Sequence, residues 1–273
     1  MTLPIEEIAA QLDRAWRTRV PIEPLSNTVG LHDVADAYAI QQSWVRLRLK
    51  AGDRITGRKI GLTSRAMQQL MGVHEPDYGT LLASMSVPVR RGIGEVDVGR
   101  LLQPRVEGEI AFLLKKPLRG PGVTIREVFR ATEAVAAAVE IVDSRIRDWK
   151  IKLVDTVADD ASSGAYAIGP WRTRWQELDL AMAGMVLYVD GRIEAVGAGA
   201  AALGHPAVCV AWLANKLGEM GEGIEAGDIV LSGALAGAVP VRPGQNARLE
   251  IAGLDSVTLR FPATDEKESE SWR

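Results

Sequence analysis

The chain has 273 residues, enough for one large domain or a core with a smaller appendage, and 47% hydrophobic residues support a sizeable core. A net charge of −3, with 25% charged residues of both signs interspersed, argues against nucleic acid as the main partner. One cysteine, Cys209, cannot staple the fold; a buried inert thiol in a reducing cytoplasm is the expectation.

The start, "MTLPIEEIAAQLDRAW", places acids where a secretory segment needs an apolar stretch. Residues 4–18 and 33–50 read as amphipathic helices, the second ended by Gly52. "ITGRKIGLT" (55–63) reads as a short strand, Ser64 as the N-cap of "RAMQQLM", and "HEPDYG" (74–79) as a turn. From about residue 85 the texture changes to short β-like runs divided by Gly and Pro: 95–98, 105–114, 136–143, 151–157, 165–168, 184–189, 229–232 and 247–251. A helix is expected over "TIREVFRATEAVA" (124–136), where Thr124 and Glu127 have capping-box spacing. Another follows Pro206 and stops at Gly221. Residues 195–215 carry no Asp, Glu, Lys or Arg, yet their glycines and the His205-Pro206 break favour a loop feeding a buried helix over a membrane span. The fold class is α+β, with a helical N-terminal region (1–84), a β-rich core (85–262) and a charged tail (263–273).

The informative stretch is "QPRVEGEIAFLL" (103–114). On a strand, Glu107 and Glu109 share a face, while Val106, Gly108 and Ile110 take the other. Glu140 repeats the pattern inside the apolar run "AAAVEIVDSR". Embedded like charges repel one another and lose hydration unless a cation neutralises them. A hard divalent ion, Mg²⁺ or Mn²⁺, would do so and leave positions for water and substrate. The competing reading is a set of solvated edge positions paired with Arg105 and Arg145. Lys59, Asp77 and His205 each have an ordinary structural reading as surface, turn and capping residues, and "DTVADDASSG" suits a substrate loop or a plain turn. No GxGxxG, Walker loop, GxSxG, HExxH or CxxC is present.

Five segments in order, "GRKIGLTSRAMQQLMGVHEPDYGTLL", "LQPRVEGEIAFLL", "EIVDSRIRDWKIKLVDTVADDASSG", "GAGAAALGHPAVCVAWLANKL" and "GDIVLSGALAGAVPV", resemble the 2-keto-4-pentenoate hydratases and 4-oxalocrotonate decarboxylases of the fumarylacetoacetate hydrolase superfamily. The resemblance runs from about residue 5 to residue 261. It implies a mixed β-roll core and a Mg²⁺ or Mn²⁺ ion held by Glu107, Glu109 and Glu140. It also implies Lys59 and Asp77 as catalytic groups and Ser162 and Ser232 as substrate-binding groups. The implied substrate is a small 2-hydroxydienoate or 2-oxo acid; hydration is favoured over decarboxylation by "DSRIRDWKI". Acylpyruvate hydrolysis would need a His–Glu pair that the three histidines do not suggest, and a non-catalytic metal-binding scaffold would be expected to lose one of these side chains. A homo-oligomer, in possible complex with a pathway decarboxylase, is the implied assembly. Two positions depart from the resembled pattern: Asp160 stands where Asn is usual, and Gly108 where Ala is frequent, a change expected to loosen packing.

Overall fold

A computed structural model describes residues 3–263; residues 264–273, most of the expected tail, lie outside the described residues. Helices come first because apolar side chains recur there at helical spacing. In α1 (Ile5–Thr18), Ile8, Ala9, Leu12 and Ala15 are buried along one stripe. After the single turn α2 (Leu25–Thr28), α3 (Val34–Lys50) starts where the Asp33 carboxylate accepts from the Ala35 amide at 2.6 Å. It buries Ala37, Ile40, Gln41 and Trp44.

Next come β1 (Ile55–Gly61), α4 (Arg65–Met71) capped by Ser64, and β2 (Asp77–Leu82). Asp77, expected in a turn, is the first residue of that strand. Two short strands, β3 (Val89–Arg90) and β4 (Ile93–Glu95), precede the long β5 (Arg105–Leu114). The Thr124–Glu127 capping box is present and opens α5 (Ile125–Ala131). This helix is shorter than expected. At Thr132 the backbone turns extended and enters β6 (Thr132–Val142), because pairing with β5 outweighs the helical preference of the alanines there.

A second correction concerns 151–157, expected as one of the short β-like runs. It forms α6 (Leu153–Ala158). Asp155 explains the difference: its carboxylate accepts from the Lys152 amide at 2.9 Å, closing the first turn. It also accepts from the Ser26 amide and hydroxyl, both at 2.8 Å. A buried carboxylate with three donors outweighs a modest strand propensity. The chain continues through β7 (Ser163–Ile168), β8 (Gly184–Val189), β9 (Arg192–Ala198), α7 (Pro206–Gly218), β10 (Ile229–Leu231), β11 (Val239–Pro240), β12 (Asn246–Ile251) and β13 (Val257–Arg260).

Two sheets result. One runs β2-β1-β10-β5-β6-β7, with β11 pairing on β5; the other runs β3-β4-β13-β12-β8-β9. Strands β1 and β2, from the helix-rich first third, thus share a sheet with β5 and β6. One face of the larger sheet packs on the smaller one through Ile110, Val139, Leu187 and Leu249. The other face carries Ala111 and Ala138 and receives Ile8, Leu12, Ile40 and Trp44 of the N-terminal helices. Gly108 lies at the interface between the sheets. A Cβ there would come within 2.5 Å of Leu249 Cδ1, so glycine permits close packing instead of loosening it.

The larger sheet also curls until its ends touch. The Val87 amide donates to the Tyr166 carbonyl at 2.8 Å, and Thr56 Oγ1 lies 2.9 Å from the Tyr166 hydroxyl. Strands at opposite ends of the sheet therefore face each other across one concave surface.

Candidate metal centre

The register of β5 against β6 builds the centre. Glu107 lies directly opposite Glu140, and Glu109 opposite Ala138. Alternation along β5 then puts Glu109 on the same face, diagonal to Glu140. Carboxylate oxygens of the three lie within 4.8 Å of one another. Glu109 and Glu140 are at most 1% exposed, and Glu107 is half-buried. Like charges set opposite one another on paired strands are destabilising, the more so out of water.

Among the described residues one cation makes an ion pair with them, while Arg105 acts on Glu107 from beyond ion-pair distance. Lys59 on β1 is 3% exposed and places Nζ 3.1 Å from Glu140 Oε1. The same ammonium donates to the Ala161 carbonyl at 3.0 Å. Burial alone would push the Lys59 ammonium down, but Glu140, Asp77, Glu107 and Glu109 together hold it above its usual range. Asp77 sits on the neighbouring strand, where Gly61 pairs with it; a Cβ at Gly61 would lie 2.1 Å from Asp77 Oδ1. Burial raises the Asp77 carboxyl, Lys59 opposes the rise and Glu140 adds to it.

Burial and the charge of Glu140 push Glu107 up to about 7, and the same two causes with Glu107 itself push Glu109 well up. Four carboxylates against Lys59, with Arg105 acting on Glu107 alone, leave an excess of negative charge if all are ionised. Apart from the Lys59 ion pair, neither Glu140 oxygen has a hydrogen-bond partner, and Glu109 Oε1 has none. Glu109 Oε2 accepts from the Gly233 amide at 2.8 Å. Buried orphan oxygens of this kind are costly, and a hard divalent cation with oxygen ligands fits them in charge and in donor type.

The alternative pairing with Arg105 and Arg145 is not what forms. Arg145 is 1% exposed and turned away, with Nε 2.5 Å from Asp159 Oδ1 and further bonds to backbone carbonyls. Arg105 stacks its guanidinium on the Trp149 ring, 4.4 Å from the centroid.

Both serines adjoin the cluster by sequence neighbours. Ser162 ends a turn whose Ala161 carbonyl holds Lys59, and its own hydroxyl lies 3.1 Å from Thr156 Oγ1. Ser232 is fully buried with no partner for its hydroxyl, and it precedes Gly233. Gly233 was not singled out from the sequence; its φ of +105° at a strand end is the physical mark, and a Cβ there would strike Thr63. Asp160 proves to be a partner of β2: Oδ1 accepts from the Thr80 amide at 2.8 Å, and Oδ2 has no partner. Burial pushes Asp160 up to about 7 against the pull of that amide. His205, by contrast, caps α7 through Nδ1 and takes no part in the centre.

Residues 80–261 match the family described as fumarylacetoacetate (FAA) hydrolase C-terminal. The chain belongs to the fumarylacetoacetate hydrolase family. Within that family it is 46% identical over 257 residues to a 2-hydroxyhexa-2,4-dienoate hydratase of Comamonas testosteroni, covering 94% of this chain and 97% of the relative. It is 45% identical to a 2-keto-4-pentenoate hydratase of Paraburkholderia xenovorans, with 94% of each chain covered. Among solved structures it superposes on 4-oxalocrotonate decarboxylase from Pseudomonas putida G7, complexed with magnesium and adipate. The TM-score is 0.90 at 39% identity, with 94% of this chain and 97% of that one covered. The mixed, curled architecture is thus that of the fumarylacetoacetate hydrolase fold.

Proposed function

We propose that this family member is a divalent-metal-dependent hydratase that adds water to 2-hydroxypenta-2,4-dienoate or a close homologue, giving a 4-hydroxy-2-oxo acid. The observation that carries the reading is the buried trio Glu107, Glu109 and Glu140 with Lys59 beside it, in a chain matched over 94% of its length by named hydratases. Mg²⁺ or Mn²⁺ is the ion proposed, since hard oxygen donors favour either.

The trio would hold the ion, which when bound supplies Lewis acidity to the 2-oxo-carboxylate end of the substrate. The remaining tasks fall to the protein. A dienol is electron-rich and resists water, so it must first take a proton at C5; the resulting enone has an electrophilic C4. Asp77 Oδ1 is buried without a hydrogen-bond partner, and a carboxyl raised by burial holds and returns a proton closer to neutrality than a free one. Lys59, held above its usual range by its carboxylate neighbours, supplies positive charge to the anionic end of the substrate or relays a proton. Ser162 and Ser232 are assigned to the substrate pocket on their place beside Ala161 and Gly233.

Decarboxylation of a 2-oxo-hexenedioate is the second reading, favoured by the superposition on the decarboxylase. The test is to incubate each substrate with Mg²⁺ and with Mn²⁺ while following the dienol absorbance and gas release. Loss of the dienol band without CO₂ supports hydration. CO₂ from the dicarboxylate with the dienol left intact would replace that reading by the second. Assembly as a homo-oligomer, association with a pathway decarboxylase and a cytoplasmic site of action belong to the same proposal. Among the described residues no helix is long and apolar enough to cross a membrane.

A further inference from the structure

Between α6 and β7 the chain makes a turn that three successive non-glycine residues enter with left-handed backbone: Asp160 at φ +52°, Ala161 at +50° and Ser162 at +56°. Such conformations are disfavoured for side-chain-bearing residues and persist where surrounding bonds impose them. The turn lies directly on β2. A Cβ at Gly79 would come within 2.5 Å of the Asp160 carbonyl oxygen, and Gly79 is the strand partner of Lys59. Two side chains and two backbone bonds hold it, one of the latter from the Ser162 amide to the Asp159 carbonyl at 2.9 Å. Asp160 Oδ1 accepts from the Thr80 amide at 2.8 Å, Ser162 Oγ meets Thr156 Oγ1 at 3.1 Å, and the Asp143 amide donates to the Ser162 carbonyl at 2.8 Å. Of these only the Asp160 bond ties the turn to the strand next to Lys59. The product of this arrangement is the Ala161 carbonyl, 3.0 Å from Lys59 Nζ.

We propose that Asp160 is a positioning residue: it latches the 160–162 turn to β2, and the latched turn presents the Ala161 carbonyl that aims the Lys59 ammonium at the Glu140 side of the centre. A lysine side chain has four rotatable bonds, so without a second anchor the ion pair with Glu140 fixes only its distance and not its direction. One carboxylate oxygen does the latching. The other carries no bond, which is the pattern of a tether and not of a network hub. A proton-transfer role for Asp160 is the competing account, and it makes the opposite forecast for one variant.

The inference rests on the proposed role of Lys59, and the test separates the two. Asp160→Asn keeps an oxygen for the Thr80 amide; Asp160→Gly removes the latch while suiting the left-handed backbone, so the turn is free to relax without new strain. With saturating Mg²⁺ and 2-hydroxypenta-2,4-dienoate, the Asn variant is expected within about threefold of wild-type kcat. The Gly variant is expected to lose roughly 10- to 100-fold in kcat. Mg²⁺ affinity by calorimetry should stay within about threefold in both, since the three glutamates are untouched. Two readouts do not need turnover. Exchange of the Thr80 amide should quicken in the Gly variant alone, and a crystal structure of that variant should show Lys59 Nζ out of bonding distance of the Ala161 carbonyl. If wild type turns over no dienol, the hydration reading fails and these two readouts still decide the latch. Wild-type kcat or an intact Lys59–Ala161 bond in the Gly variant would overturn the proposal, as would an Asn variant as slow as the Gly one, which would favour proton transfer.

Discussion

Lys59 Nζ lies 3.1 Å from Glu140 Oε1 although three strand-to-strand steps, β1 to β10 to β5 to β6, separate the two residues. In a flat sheet three steps of about 4.8 Å would place the strands roughly 14 Å apart. Curling of the sheet, closed by Val87 and Thr56 against Tyr166, shortens that span and leaves two side chains to bridge it. The ion pair is therefore a product of the global fold, and neither strand could form it locally.

Removing the ammonium should expose how much of the charge excess it carries. Lys59→Met leaves Glu140 buried beside two like charges, a loss of about 3–5 kcal/mol for breaking a buried pair. The variant is expected to melt well below wild type without metal. Added Mg²⁺ should raise its Tm by more than it raises that of wild type, because the ion then offsets a larger excess. Thermal melts with and without Mg²⁺ check this; equal metal-induced shifts in the two proteins would remove the premise that lysine and ion share one task. Turnover should fall about 10²-fold or more.

The glutamates should differ from one another. Glu109→Gln removes one of the crowded negative charges and keeps an oxygen for the Gly233 amide, so the metal-free variant is expected to be as stable as wild type or more so. Glu140→Gln also breaks the buried Lys59 pair and is expected to be less stable. Both should lose Mg²⁺ affinity by about 100-fold or more, with turnover lost in parallel. Calorimetric titration beside denaturant melts measures both halves. A variant with wild-type affinity would remove that residue from the ligand set.

Metal binding should also depend on pH through Glu107, whose carboxyl burial and Glu140 push up to about 7. A ligand must be deprotonated, so below that value a proton competes with the ion, while above it the competition ends. Because Glu109 is pushed well up too and must also lose a proton, the apparent Mg²⁺ affinity is expected to fall by at least about tenfold per pH unit below 7. Titrations at fixed ionic strength across that range decide it; a flat profile would place Glu107 outside the centre.

Much of this centre was readable because it is written in strand alternation. Glu107 and Glu109 share a face by spacing alone, and Glu140 stands out as an acid within an apolar run. Their mutual approach was not readable from alternation, since it needs the register that sets Glu107 opposite Glu140. Local signals misled where a long-range bond decided the outcome. The β-branched residues of 153–157 became helical because Asp155 reaches Ser26, 129 positions away. The alanines after Ala131 became a strand because β5 was there to pair with them. Gly233 carries no pattern of its own; its left-handed φ and Thr63 require it, while at Gly108 a Cβ would press only on the end of the Leu249 side chain. Likewise the left-handed turn at 160–162 is bonded to Thr80, Thr156 and Asp143, and nothing in "ADDASSG" alone announces it.

The deep burial of Asp160 has a measurable consequence for stability. Its carboxyl is pushed from 3.8 up to about 7, so between those values the folded protein holds a proton that the unfolded chain has released. Stability from this group is then complete below pH 4 and declines as pH rises through 7, where the buried charge must form. At about 1.4 kcal/mol per unit, the decline is on the order of a few kcal/mol. Asp160→Asn cannot ionise and should lack the decline. The other raised carboxyls, such as Asp143 at about 6, titrate in both proteins and cancel in the comparison. The difference in unfolding free energy, variant minus wild type, is therefore expected to be smallest near pH 4 and to grow in favour of the variant up to about pH 8. Denaturant melts of both proteins at pH 4, 6 and 8 measure it. Parallel stability curves would mean that Asp160 is already ionised in the folded state, with its second oxygen satisfied.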